Sequence, residues 1–376
     1  MRSVIFVAVI SLLIALHGGL HYYASLKVTP LLPGYRWPII VTLTLLWLSL
    51  FATMFLTHSN GAHAMASPLA WLAFLWMGYV FLFFVLSAPV DFLGMLSGAA
   101  GWNTLQTQLA APMRTAAIGV ITLGVAGYGF FASHQINVEQ VRLASPKLSQ
   151  PVRIVQISDL HLGLLSSETY LRRMVETINS LQPDVVVVTG DLVDMQLDHL
   201  NGLGAQMAQI KARLGKFAVY GSHEAFAGLD ASRAFIERSG LTLLSNSGVK
   251  LGDVINIVGV DDPAVENRVT ASSVNEAALL ADYANGTFTV LLKHQPMINP
   301  AARGHFDLQL SGHTHGGQIF PFGLLTQLVY RAPFGLSQAG PNAWLYVSRG
   351  TGTWGPPFRI VAPPEITLIE LQTAAR

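Results

Sequence analysis

Between Arg36 and Asp91 the chain carries no formal charge. No water-soluble surface can be built from such a stretch, and in a bilayer core only a structure that satisfies its own backbone hydrogen bonds survives. The surrounding sequence extends the constraint. Of 22 Lys and Arg and 21 Asp and Glu, residues 1–140 hold only Arg2, Lys27, Arg36, Asp91, Arg114 and Glu139. Four apolar runs, over about 3–26, 37–58, 68–90 and 115–134, each have roughly the 20 residues a helix needs to cross the hydrocarbon core. We therefore expect residues 1–136 to form a four-helix transmembrane anchor in an integral membrane protein, with the lipid bilayer as its partner. The first run, behind Arg2, resembles a signal peptide; three further runs favour a retained anchor. Trp37 and Trp102 suit the membrane interface.

An even number of spans puts both termini on one side. A cytoplasmic side would hold Arg2, Arg142, Lys147 and Arg153, against Lys27, Arg36 and Arg114 outside, so the positive-inside rule leans to the cytoplasm. The chain has no cysteine, which excludes disulfides and thiolate metal sites. Its net charge of +1 gives no electrostatic case for nucleic-acid binding.

Residues 137–150, "NVEQVRLASPKLSQ", are polar and contain a proline, and read as a linker. Residues 151–376 then change pattern. "VRIVQIS" and "DVVVVTG" are β-branched runs bounded by turn residues, as buried strands are. Glu168 to Leu181 has helical spacing ended by Pro183. "KFAVYG", "VINIVGV" and "FTVLLKH" repeat the strand reading, with helical segments near 197–214, 231–239 and 274–283. Strands alternating with helices predict an α/β domain.

The polar residues cluster where these strands end, the place at which open α/β sheets bind ligands. "SDLHLG" supplies Asp159 and His161, "TGDLVD" supplies Asp191 and Asp194, and "YGSHE" supplies His223 and Glu224. "LLKHQP" adds His294, and "LSGHTHGGQIF" adds His313 and His315, which an extended backbone would turn to the same side. Any one of these is commonly structural. Five strand exits, all with carboxylate or imidazole, suit two divalent cations such as Mn²⁺, Fe²⁺ or Zn²⁺, arranged to activate water and clamp a phosphoryl group.

In order, Asp159-x-His161, Gly190-Asp191-x-x-Asp194, Gly221-x-His223-Glu224, His294 and Gly312-His313-x-His315 resemble the motif series of calcineurin-like metallophosphoesterases, from residue 151 to about 371. "GHTHGGQ" and "SRGTGTWGPPFRIVAPPEITLIEL" resemble the membrane-associated bacterial subgroup, which includes phosphodiesterases and UDP-2,3-diacylglucosamine pyrophosphatases. The resemblance implies a four-layer αββα sandwich in the bacterial inner membrane. It implies two divalent ions, Mn²⁺ foremost with Fe²⁺, Zn²⁺ or Mg²⁺ as alternatives. Asp159, His161, Asp191 and His315 would hold one ion, and the bridging Asp191 with His294 and His313 the other. His223 would protonate the leaving oxygen, with Asp194 and Glu224 orienting imidazoles behind the ligands. The family's Asn ligand is replaced by Ser222, a shorter and poorer donor that would act through water and loosen the second ion.

Arg349, in "SRGTG", is a candidate for binding phosphate. The apolar segment 319–338 is either a packed insertion or a lid that dips into the bilayer. His17 and His21, and His58 and His63, lie near the ends of apolar runs and suit an interface better than an intramembrane cofactor. The expected function is hydrolysis of a phosphodiester or pyrophosphate bond by a metal-bound hydroxide, in a lipid-linked or nucleotide-activated lipid substrate. The alternatives are a tethered phosphatase for soluble nucleotides or phosphoproteins, and a degenerate metal-binding membrane sensor.

Overall fold

The computed structural model describes residues 2–57, 63–110, 112–194, 197, 200–268 and 274–374. His58 lies outside the described residues. The chain forms two compact units: Met1–Phe131 with Gly355–Phe358, and Ala132–Trp354 with Arg359–Arg376.

The first unit contains helices α1 (Arg2–Val28), α2 (Arg36–Thr57), α3 (His63–Ala99), α4 (Asn103–Ala110) and α5 (Pro112–Ser133). Three segments, Pro33–Thr57, Met65–Ala99 and Pro112–Ser133, are long and apolar enough to cross a membrane. Four were expected; the first run is helical as α1 but is not among these three. α3 runs well past the expected 68–90, with Pro68 and Pro89 inside it. Two of the charges in this unit answer each other. Lys27 of α1 pairs with Asp91 of α3, and the Tyr23 hydroxyl donates to the other Asp91 oxygen at 2.5 Å. In an apolar medium an unpaired charge is costly, so such residues find partners. His21 is also committed, since Nδ1 meets the His17 carbonyl at 2.9 Å and Nε2 accepts from Trp76 at 2.8 Å. His17 makes no hydrogen bond through its ring, so the pair does not offer two open ligands.

The second unit is built on twelve strands: β1 (Asn137–Ser145), β2 (Val152–Ile157), β3 (Val185–Val188), β4 (Gly215–Ala218), β5 (Thr242–Leu243), β6 (Ser247–Leu251), β7 (Ile255–Val260), β8 (Thr289–Lys293), β9 (Leu308–Ser311), β10 (Gly335–Gly340), β11 (Ala343–Val347) and β12 (Glu365–Thr373). They form two six-stranded sheets, ordered β1-β12-β2-β3-β4-β5 and β10-β11-β9-β8-β7-β6. Both are mixed: β2 to β5 run parallel, while β12 is antiparallel to β2 and parallel to β1. The helices here are α6 (Glu168–Ser180), α7 (Asn201–Met207), α8 (Ser222–Ala227), α9 (Leu229–Arg238), α10 (Pro263–Glu266), α11 (Glu276–Ala281) and α12 (Phe322–Tyr330).

The unbroken valines of β3 follow from burial on both faces. Val185 and Val187 share a core with Ile257, Val290 and Leu308 of the other sheet. Val186 and Val188 instead meet Met174 and Ile178 of α6 and Phe235 of α9. Across the second sheet, Val258 and Leu291 pack with Leu280 of α11 and Phe306. α6 buries Leu171, Met174, Val175 and Ile178 at helical spacing, and Ser167 caps its start by accepting from the Tyr170 N–H at 3.3 Å.

Residues 137–150 are not a linker. Asn137–Ser145 is β1, nine residues in register with β12. It is an edge strand with one face toward solvent, so half its side chains are polar, and Pro146 falls just after its end. Leu143 is buried in the core between the sheets, and Arg142 meets Glu370 across the strand pair at 2.9 Å. Leu143→Ala should therefore cost about 2–3 kcal/mol, the usual effect of truncating a buried leucine. Thermal or denaturant unfolding of the second unit measures it; a linker residue would leave the midpoint unmoved.

Candidate metal centre

The five polar exits belong to β2, β3, β4, β8 and β9, and all are C-terminal ends. Hydrogen bonds bring the exits of the two sheets together. The Gln156 amide donates to Thr189 Oγ1 at 2.9 Å and to the Ser311 carbonyl at 3.0 Å, and the Gly312 N–H donates to the His294 carbonyl at 2.9 Å. The His313 N–H donates to both Asp159 oxygens at 3.0 and 3.1 Å. This approach leaves no room for a side chain at Gly312, which would strike Ser158 and Asp159, or at Gly221, which would strike Asp191.

Three groups of donor atoms result: Asp159, His161 and His315; Asp191, His294 and His313; and His161, Asp194 and His223. In each, the donor atoms lie within 4.8 Å of one another. In the first, the Nε2 atoms of His161 and His315 are 3.0 Å apart, and His315 Nε2 is 3.5 Å from Asp159 Oδ1. In the second, His294 Nε2 is 3.1 Å from Asp191 Oδ2 and 3.0 Å from His313 Nδ1. Asp191 Oδ2 also lies 3.8 Å from His161 Nε2, so it faces both groups.

The second group shows why a cation fits. His294 Nδ1 donates to the Thr189 carbonyl at 2.8 Å, so the neutral ring turns a lone pair toward a carboxylate and another imidazole. Three acceptors that close repel unless a proton or a cation lies among them. Burial alone lowers the His294 pKa, but Asp191 overrides it and holds it well above the usual histidine value. Asp191 is correspondingly held well below the carboxylate range: burial raises it, and His294 and His161 outweigh burial. Burial raises Asp159 to about 6 and lowers His161 to about 4 and His313 to about 3.

Asp159, His161, Asp191, His313 and His315 all have positive φ, between 49° and 70°. For residues other than glycine this conformation is strained and is concentrated at functional sites. The structure thus overturns the extended reading of His313 and His315. Neither is extended, and their rings enter different donor groups.

The supporting residues divide unevenly. Asp194 Oδ1 meets His223 Nδ1 at 2.9 Å, as an orienting carboxylate would. Glu224 touches no imidazole. It accepts from the N–H groups of Gly221, Asp191, Leu192 and Val193 at 2.7–3.2 Å, tying the β3 and β4 exits together. Ser222 Oγ is 3.4 Å from the nearer Asp191 oxygen, a long contact. Arg349 is committed to Glu365 at 2.6 Å and to Glu139, so its guanidinium serves an ion-pair network and not a phosphate. Two supporting residues carried no recognisable pattern. Arg359 is fully buried and donates to the carbonyls of His315 and Arg349 at 2.9 and 2.6 Å. Tyr330, at the end of α12, has its hydroxyl 2.6 Å from His313 Nε2.

Residues 152–317 match the family model described as calcineurin-like phosphoesterase. An uncharacterized metallophosphoesterase of Aquifex aeolicus is 31% identical over 255 residues, covering 67% of this chain and 98% of that protein. One from Helicobacter pylori is 35% identical over 238 residues, covering 62% of this chain and 64% of that protein. The Danio rerio transmembrane protein with metallophosphoesterase domain is 35% identical over 271 residues, covering 68% of this chain and 62% of that protein. The chain thus spans just under two thirds of the length of the last two. It belongs to the calcineurin-like phosphoesterase family, hydrolases of phosphoester bonds with a dinuclear divalent metal centre.

A cation held by His294 would need that ring deprotonated, and Asp191 raises its pKa. Uptake of Mn²⁺ by metal-free protein at pH 7 should release protons, and affinity should rise with pH. Calorimetry in buffers of different ionisation enthalpy measures the release; uptake without it would contradict the protonated His294–Asp191 pair.

Proposed function

We propose that this protein is a membrane-anchored phosphohydrolase that cleaves a phosphodiester or pyrophosphate bond in a lipid-linked or nucleotide-activated lipid substrate. Asp159, His161, Asp191 and His315 hold one ion. Asp191 would be shared with the second, which His294 and His313 would hold, with Ser222 a poorer donor nearby. The carboxylate and imidazole donors, without thiolate, suit borderline divalent ions such as Mn²⁺, Fe²⁺ or Zn²⁺, of which we take Mn²⁺ first. When bound, the two ions supply the Lewis acidity that activates water and neutralises phosphoryl charge.

His223 delivers a proton to the leaving oxygen. Burial lowers its pKa, but its hydrogen bond to Asp194 and the nearby Asp191 charge outweigh burial and raise it, which favours the protonated ring that an acid needs. Asp194 also fixes the ring's direction, leaving Nε2 for substrate. The shared core of the two helix-flanked sheets supports the αββα layering. We place the protein in a bacterial inner membrane with the second unit in the cytoplasm, on the count of basic residues flanking the apolar runs, with α1 taken as the fourth span.

The observation that carries the lipid reading is α12. None of its residues is buried, and Leu328 and Val329 are 74% and 72% exposed. Leu324 and Leu325 are exposed beside them, yet the same helix ends at Tyr330 against His313. An apolar surface of this kind, next to a hydrolytic centre and in a chain with three apolar spans, fits acyl or isoprenoid chains.

Two measurements test these assignments. His223→Ala should keep its metal and lose roughly 10²–10⁴ in rate, as removal of a positioned acid does, with a smaller loss for nitrophenolate leaving groups. An equal loss for all leaving groups would assign His223 another role. Leu325→Glu in the purified protein with Mn²⁺ should impair turnover of a nucleotide-linked lipid and spare a small soluble diester. Equal impairment would reduce α12 to packing, and efficient wild-type turnover of soluble substrates alone would favour the tethered phosphatase.

A further inference from the structure

A metal-binding histidine is held in the correct tautomer by whatever its far ring nitrogen touches. Applied to the four imidazoles of the two donor groups, this divides them. His294 has an acceptor behind it, the Thr189 carbonyl at 2.8 Å from Nδ1. His313 has the Tyr330 hydroxyl at 2.6 Å from Nε2. Behind His161, Nδ1 is buried with no hydrogen-bond partner. Behind His315, Nδ1 faces the Arg359 guanidinium at 3.2 Å, which can only donate. Acceptors back both imidazoles of the second group and neither imidazole of the first.

We propose that Tyr330 is a positioning residue for the second metal ion, holding His313 as the tautomer whose Nδ1 lone pair faces that ion. The proposal rests on the ligand set above. His313 Nδ1 points to His294 Nε2 at 3.0 Å, so it is the nitrogen on the donor-group side. For that atom to be a donor of electrons, the proton of the neutral ring must sit on Nε2. There the phenol oxygen accepts it. A hydroxyl turned the other way would place the proton on Nδ1 and close the ligand. The arrangement matters most in this group because Ser222 stands where the resembled family carries an asparagine ligand, and its hydroxyl makes only a 3.4 Å contact with Asp191. A weakened direct ligand is offset by a better-oriented one. Tyr330 is also where α12, with no buried residue of its own, is fastened to the donor groups.

The test is equilibrium dialysis of the full-length protein in detergent against Mn²⁺, with Tyr330→Phe, His313→Ala and wild type in parallel. Tyr330→Phe removes one oxygen from a half-buried ring, so the metal-free thermal midpoint should stay put. It should bind two ions with the weaker one loosened about tenfold, within the usual effect of losing such an outer partner, and the tighter one unchanged. A purely structural defect would weaken both ions together. Wild-type affinity for both ions in Tyr330→Phe, or equal loss at both, overturns the proposal. If His313→Ala leaves both affinities unchanged, the ligand set itself is wrong and the inference falls with it; loss at one ion in His313→Ala with none in Tyr330→Phe removes Tyr330 alone.

Discussion

Asp191 is almost wholly buried, and its two carboxylate oxygens face three segments of chain. His294 from β8 and His161 from β2 approach Oδ2, and the Ser222 hydroxyl and the His223 N–H approach from the start of α8. A carboxylate in this position is tolerable only if positive charge or donors surround it. Much of the surrounding structure follows. The two sheets must bring their C-terminal ends together, Gly221 must lack a side chain, and Glu224 must gather the backbone N–H groups of the neighbouring turn. The left-handed backbone at five site residues is held by the same contacts.

A second constraint acts at the other end of the chain. Removing charge from residues 37–90 allows helices to enter an apolar medium, but it leaves Lys27 and Asp91 needing each other. Their pairing, with Tyr23 as a further donor, joins α1 to α3 by charge, beside the Trp76–His21 hydrogen bond and apolar contacts such as Val80 and Phe83 against Leu20 and Tyr23. Membrane attachment and phosphoester chemistry thus rest on opposite uses of charge. One unit excludes it, and the other concentrates it around a site that calls for cations.

The donor residues were legible because chemistry restricts them. Only carboxylate and imidazole suit such ions in a chain without cysteine, and they recur at the ends of recognisable β-branched runs. The motif order then matched a known series. What failed was reading by polarity alone. β1 passed for a linker because an edge strand is half polar, and segment 319–338, read as a packed insertion or a lid, contains α12 and part of β10. Arg349 suggested a phosphate contact from its place in "SRGTG", but folding brings Glu365 and the distant Glu139 against its Nε and Nη2.

The sequence by itself determined the partition into an apolar part and an α/β part, the types of ligand, and the family, since these depend on composition and on spacing within single segments. Only the tertiary structure decided the left-handed backbone that turns His313 and His315 apart, and that Tyr330, Thr189 and Arg359 stand behind the imidazoles. The physical reason is that a ring has two nitrogens. Sequence identifies the imidazole, but which nitrogen carries the proton depends on a partner that folding brings from elsewhere in the chain.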